Sequence, residues 1–309
     1  MDSLDVKLVR ELSQGRNVGL VWGDINPAYG EMAHRLGVSR ETVRDRVEKM
    51  LTSGVLKVFP VQVNPGLLGL TMGAVTVDFP ASARKADLVK NISLLEGILL
   101  IVSHVGSSFG IIFYYEDEAS RRKKVELISR LGSATATETT SIPYPRCTVS
   151  LSETDWEIIA ALQRNRRGQA RRVAGELGIS EKTLQRRLKR LIGGWAISTV
   201  ISTDAGPLRG VVAANLMVHY TSPTQRSVAD GRLLRDLDEY LFFPGLWTDF
   251  SVYSLFLPSI AEAMRVLERT RETPGVGDAR IELVEQRVET YDVLREQVER
   301  KLRTIRANS

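Results

Sequence analysis

The scarcities in this chain exclude several classes of protein. It has one cysteine, Cys147, and three histidines, His34, His104 and His219, at no metal-ligand spacing. An intramolecular disulfide cannot form, and a cysteine-based zinc site cannot be built from one thiol. The sequence has no Gly-rich phosphate loop, no nucleophile elbow and no meaningful pair of spaced carboxylates, so neither a catalytic site nor a cofactor is expected. Long apolar runs are missing too. The best, residues 97–105 and 211–220, are strand-sized, against the roughly 18 residues of a membrane span. Acids in Met1-Asp2-Ser3-Leu4-Asp5 stand where a secretory signal needs basic residues. The expectation is a cytoplasmic protein without membrane contact.

What remains is ordinary in amount. With 43% hydrophobic and 26% charged residues the composition is globular, and 309 residues suggest two to four compact units. The net charge of +5 points only weakly to nucleic acid unless it is concentrated.

The arrangement is more telling, because the chain contains its own duplicate. Residues 33–56 and 174–197 share six identities (Ala, Leu, Gly, Ser, Thr and Arg) at an offset of 141, and seven further positions exchange one apolar residue for another. Upstream, residues 5–12 match 155–162 at an offset of 150, so the first copy carries about nine extra residues, within the Gly-rich stretch 15–24. The halves meet around Pro143, Pro145 and Cys147.

Both copies run through the same periodicities. Leu8 and Leu12, or Ile158 and Leu162, mark a first helix, opened in the second copy by a capping box at Ser152–Asp155. A second helix follows, with Asn26-Pro27 as N-cap and N1 in the first copy. Leu36-Gly37-Val38-Ser39 and Leu177-Gly178-Ile179-Ser180 then read as stop, tight turn and new N-cap. The third helices, 39–52 and 180–192, turn Val43, Val47 and Met50, or Leu184, Leu188 and Leu191, inward and leave 40, 41, 44 and 45 outward. Extended segments at 55–63 and 196–203 are long enough for a small wing hairpin. A βαββαβ order follows: strands 75–79, 98–105, 109–115 and 134–142 with helices 85–95 and 118–131. In the second copy it runs over 211–220, 225–240, 246–250, 252–257, 259–270 and 278–288. The fold class is α+β, with two winged helix-turn-helix and two ferredoxin-like βαββαβ domains in tandem plus a C-terminal helix. Domain boundaries fall at 1–63, 64–146, 147–203, 204–290 and 291–309. In the last segment Tyr291, Leu294, Val298, Leu302 and Ile305 share one face suited to packing on its own domain or on another chain, which leaves homo-oligomers open.

Helix-turn-helix, Gly54-Val55-Leu56, the linker Asn64-Pro65-Gly66-Leu67-Leu68-Gly69-Leu70 and βαββαβ together resemble the Lrp/AsnC (feast/famine) transcription regulators, here as two fused copies. The second linker departs from the pattern, as Asp204-Ala205-Gly206-Pro207-Leu208-Arg209-Gly210. The resemblance implies double-stranded DNA as partner and a pseudo-dimer within one chain. It also implies an effector site at the turn Gly106, Ser107, Ser108 and Phe109, where backbone amides and hydroxyls could hold a small anionic, amino-acid-like effector. The bland alternative is a plain hairpin.

Candidate DNA-binding residues are Ser39, Arg40, Glu41, Thr42, Arg44 and Arg46 in the first copy. In the second they are Ser180, Lys182, Thr183, Gln185, Arg186 and Arg187, with Arg171 and Arg172 ahead of the helix. A third helix in the major groove presents its outward residues to bases and its basic ones to phosphates. Arg46 and Arg187, shared by the copies, could equally hold each domain together through an ion pair. The alternative function is a siroheme decarboxylase-like enzyme, because such enzymes resemble the same architecture. It needs a basic, histidine-containing pocket, for which the βαββαβ blocks offer only His104 and His219.

Overall fold

A computed structural model describes residues 1–13, 25–80, 83–164, 170–204, 206–290 and 292–307. The first copy forms α1 (Ser3–Ser13), α2 (Ile25–Leu36), α3 (Arg40–Thr52) and β1 (Leu56–Val63), then β2 (Thr71–Asp78), α4 (Lys85–Ser93), β3 (Ile98–His104), β4 (Ser108–Tyr115), α5 (Glu118–Arg130) and β5 (Thr135–Ile142). The second repeats the order with α6 (Glu153–Arg164), α7 (Ala170–Glu176), α8 (Glu181–Gly193), β6 (Ile197–Thr203), β7 (Val212–Tyr220), α9 (Pro223–Asp236), β8 (Leu241–Leu246), β9 (Ser251–Leu257), α10 (Ile260–Arg271) and β10 (Val276–Glu289). Helix α11 (Asp292–Ala307) ends the chain.

The chain divides into two compact units, each drawn from both copies. One comprises Met1–Arg10, Met72–Pro143 and Thr203–Glu289; the other comprises Glu11–Thr71, Tyr144–Ser202 and Thr290–Ser309.

In the first unit the strands form one eight-stranded sheet ordered β5-β2-β4-β3-β10-β7-β9-β8, which is two ferredoxin-like four-strand sets joined edge to edge. The joint is antiparallel pairing of β10 with β3, Arg287 opposite Val102 and Glu289 opposite Leu100. Strand β10 has 14 residues and serves both sets, pairing β7 with its first half and β3 with its second. Its counterpart β5 has 8 residues and stops before Pro143 and Pro145, which lack the N–H that a continued ladder needs. The joint therefore forms once. Period-two alternation gives the sheet two different faces. Val75, Val77, Ile111 and Phe113 in one set, and Ala214, Leu216, Tyr253 and Leu255 in the other, form apolar cores on one side. Asn215, Met217 and His219 alternate with the second set on β7, as Arg280 and Glu282 do on β10.

Strand β8 corrects the sequence expectation of 246–250. Helix α9 ends at Asp236, so the strand begins earlier, and 247–250 is the turn into β9. Pro244-Gly245 reads as a loop in sequence but is tolerated because β8 lies at the sheet edge. Arg226 holds the turn by donating to the carbonyls of Trp247 and Thr248. Thr248 N–H in turn donates to Ser141 O on β5 (3.1 Å).

In the second unit the expected wing hairpins are single strands. β1 and β6 pair with each other in a two-stranded sheet, so each copy completes the wing of the other. Within each helix-turn-helix the turn glycine is left-handed as the sequence implies, Gly37 at φ +65° and Gly178 at φ +64°. Helix α2 begins at Ile25, which places Asn26 and Pro27 inside its first turn rather than at its cap. The extra Gly-rich stretch 15–24 and Tyr291 lie outside the described residues. Helix α11 buries Leu294, Val298 and Leu302 and lies against α6 and β1.

Candidate nucleic-acid interface

Each third helix is set by the same cap. Ser39 Oγ accepts from Thr42 N–H (3.0 Å) and Ser180 Oγ from Thr183 N–H (3.1 Å), and in each pair the two hydroxyls also meet. These four residues are thus engaged in starting the helices. Arg40, Glu41 and Arg44 on α3 are exposed, as are Lys182, Gln185 and Arg186 on α8, over the buried rows Val43, Val47, Met50 and Leu184, Leu188, Leu191. Arg44 is partly neutralised by Asp45 (3.1 Å). Arg171 and Arg172 are exposed on α7, Arg171 lying 4.0 Å from Glu181.

Arg187 resolves the ambiguity left by the sequence. Its Nη1 sits 2.8 Å from Asp155 Oδ1, and Arg190 Nη2 sits 2.5 Å from Asp155 Oδ2. Asp155 is fully buried and also accepts from Ser152 N–H and Oγ (both 2.8 Å). Burial alone would raise this carboxyl, but the hydrogen bonds from Ser152, Arg187 and Arg190 outweigh it and hold the pKa below the usual carboxylate range. Arg187 therefore ties α8 to the start of α6. Arg46, its counterpart, is half-buried on α3. Sequence reasoning found the capping box but missed Asp155 as the hub. The signal was two arginines three apart on one helical turn.

The turn at 106–109 is occupied differently from the expectation. Phe109 is buried in the apolar core, edge-on to Phe79. Ser108 Oγ donates to Glu282 Oε1 on β10 (3.0 Å). A carboxylate from the second copy thus stands where an anionic ligand was expected.

Behind this turn lies a buried polar cluster. His104 Nδ1 lies 3.1 Å from Glu282 Oε2 and 3.3 Å from Ser108 Oγ, and Asn215 Nδ2 lies 3.2 Å from His104 Nε2. Asn215 Oδ1 accepts from Ser254 (2.9 Å), which leaves the amide N–H to donate and puts the ring proton on Nδ1. The cluster continues outward, with Arg280 near Glu282 (3.8 Å) and bonded to Glu138 (2.7 Å), and Glu138 bonded to His219 (2.6 Å). The two histidines thus end one polar chain, in which Arg280 stands between the carboxylates of Glu282 and Glu138. Contact between Glu138 on β5, at the end of the sheet, and β10 at its middle requires the sheet to curl on itself.

Burial first, then the cations Arg287, Arg280 and Lys85, push His104 down to about 4. Burial pushes the Glu282 carboxyl up, against the pull of Ser108 and Arg280. An unfolded histidine protonates near pH 6.5, so the stability due to neutral His104 is fully present above that pH. It is lost as pH falls towards 4, by up to about 3 kcal/mol. In urea unfolding between pH 4 and 7, His104→Gln is expected to flatten that limb; an unchanged slope would show that another group governs it.

The domain profile for the AsnC-type helix-turn-helix matches residues 151–192, which span α6 to α8. Among curated relatives, the HTH-type transcriptional regulator Ptr1 of Methanocaldococcus jannaschii is 24% identical over 106 residues, covering 34% of this chain and 66% of the relative. The regulatory protein AsnC of Haemophilus influenzae is 39% identical over 69 residues, covering 22% and 40%. The chain thus spans less than two thirds of the length of these relatives. A crystal structure of the siroheme decarboxylase NirDL, in complex with an iron-uroporphyrin III analogue, aligns over 99% of both chains with a TM-score of 0.51 and 11% identity, a likeness of fold. The class that fold and interface define is an α+β protein with helix-turn-helix segments. Residues 151–192 thus match an AsnC-type helix-turn-helix domain, and the relatives similar to parts of this chain are named as transcriptional regulators.

Proposed function

We propose that the chain is a cytoplasmic, sequence-specific DNA-binding transcription regulator that acts as an intrachain pseudo-dimer. The observation that carries this reading is the pair of Ser-capped helices, α3 and α8, which display exposed polar and basic faces while β1 and β6 bind their segments into one unit. One helix enters each half-site, with Arg40 and Arg44, or Lys182, Gln185 and Arg186, meeting bases and phosphates, and Arg171 and Arg172 adding phosphate contacts. Glu41 and Arg46 complete the set on α3. Fluorescence anisotropy on genomic duplex fragments over a salt series tests this. Saturable, sequence-dependent binding is expected, and equal affinity for all fragments would defeat it.

An effector enters at the 106–109 turn in this reading. Glu282 beside Ser108 favours a ligand bearing an ammonium group, such as an amino acid, over a bare carboxylate. Thermal shift against amino acids and simple carboxylates is expected to favour the former.

The enzyme reading draws on the full-length fold likeness to NirDL. A polyanionic tetrapyrrole needs an excess of available cations, whereas the carboxylates of Glu138 and Glu282 already face Arg280 here. Titration with siroheme is therefore expected to leave its visible spectrum unchanged; a saturable change with turnover would reverse the assignment.

A further inference from the structure

The Asn64 side chain connects three separate segments of the chain. It is 2% exposed, at the end of β1. Its Nδ2 donates to Pro145 O in the linker between the copies (2.8 Å) and to Trp195 O at the start of the second copy's strand segment (2.7 Å). Its Oδ1 accepts from Gly66 N–H (3.0 Å), and its own N–H donates to Ala196 O (2.8 Å). An uncharged amide is the side chain that can do this, because two carbonyls need donors while the Gly66 N–H needs an acceptor. Each of these groups is backbone, so losing the side chain strands polar atoms in both copies.

Two asymmetries mark this contact as built rather than repeated. Trp195 holds φ +57°, while the position 141 residues earlier is Gly54 at φ +76°. A bulky residue persists in the left-handed region only where its surroundings fix it, and here its carbonyl meets Asn64. In the second linker Asp204 Oδ1 accepts from Gly206 N–H (3.0 Å), which reproduces the cap. A carboxylate has no N–H to donate, so the two donor bonds are made in the first copy and not reproduced by Asp204. The pairing of β1 with β6 also joins the copies in this unit, and the Tyr144 hydroxyl meets Ser198 Oγ (2.8 Å). Gln163 reaches Val61 O at a longer 3.4 Å.

We propose that Asn64 is a positioning residue that locks the two helix-turn-helix segments in one register, so that the chain reads two DNA half-sites at one separation and one helical phase. This rests on the DNA-binding reading above. Each inserted base pair turns one half-site by about 35° relative to the other, so a locked pair of helices loses its second contact within one or two insertions.

Two measurements on the full chain test it. The first uses Asn64→Ser, which keeps an oxygen for Gly66 but reaches neither carbonyl, and Asn64→Asp, which keeps the shape and loses the donors. Spin labels on Glu48→Cys and Lys189→Cys, in a Cys147→Ser background, report the distance between α3 and α8. The wild-type chain is expected to give one narrow distribution and both variants a broad one. The second measures affinity for duplexes whose half-sites are spaced in single base-pair steps. The wild type is expected to lose roughly tenfold or more within two insertions and the variants less than about threefold, with affinity for an isolated half-site unchanged. A broad distribution in the wild type, or equally narrow distributions and equal spacing dependence in the variants, would overturn the proposal. Failure of the wild type to bind any duplex would defeat the DNA reading instead, and the distance distributions alone would then decide the lock.

Discussion

Replacing Asp155 with alanine is expected to lower the unfolding free energy by about 3–5 kcal/mol, among the largest effects of any single side chain in the helix-turn-helix unit. The carboxylate is fully buried and receives two guanidinium groups and both polar hydrogens of Ser152. Alanine removes the acceptor and leaves Arg187, itself mostly covered, without its counter-charge. An asparagine amide at this position would keep part of the cap and none of the charge, so Asp155→Asn should fall between wild type and alanine. The pH dependence has a defined sign. The folded pKa is held below the unfolded value near 3.9, so this stabilisation is complete above about pH 5 and fades as pH falls through the folded pKa. Urea titrations of the three proteins at pH 7 and pH 3 provide the check. A loss below about 1 kcal/mol in Asp155→Ala at pH 7, or a difference that does not shrink at pH 3, would show that the pair is dispensable.

The helix-turn-helix segments were legible because local signals carry them. Gly37 and Gly178 must be left-handed, Ser39 and Ser180 must cap, and the apolar rows follow helical spacing twice over. Partners across the chain are another matter. Periodicity identified 55–63 and 196–203 as extended, but it cannot say whether a strand turns back on itself or pairs with its own duplicate, and here β1 pairs with β6. Pro143 and Pro145 were visible as a boundary; that they stop β5 and make the sheet joint one-sided follows only from the length of β10. The polar cluster was half legible. Asn215, His219, Arg280 and Glu282 sit at alternate positions of strands, which marks a polar face, but their meeting with His104 and Glu138 depends on how the sheet curls. The edge strand β8 was misplaced because Pro244-Gly245 is a loop signal everywhere except at a sheet edge.

The two third helices are expected to contribute unequally on DNA. Residues 5–59 hold nine Lys or Arg against seven Asp or Glu, a net of +2, whereas residues 155–200 hold ten against four, a net of +6. The pairing sharpens this contrast on α3, where Asp45 takes Arg44. On α8 Asp155 takes Arg187 and Arg190 and leaves Lys182 and Arg186 exposed without a carboxylate among their described ion pairs. Phosphate neutralisation gives a log–log salt slope of roughly −0.9 per contact, so Lys182→Ala with Arg186→Ala is expected to flatten the slope by up to about 1.8 and Arg40→Ala with Arg44→Ala by about half of that. Arg187 is left intact in this comparison, because its loss would be felt through Asp155 as instability rather than through DNA. The outward residues also differ, Arg40, Glu41 and Arg44 against Glu181, Lys182 and Gln185, so the two half-sites present different bases to be read. Selection from random duplexes should therefore return an imperfect palindrome. Equal slope changes in the two double variants would contradict the unequal division, and a perfect palindrome would contradict the asymmetric site. The two outcomes are independent, since slope counts phosphates while the selected sequence reports base contacts.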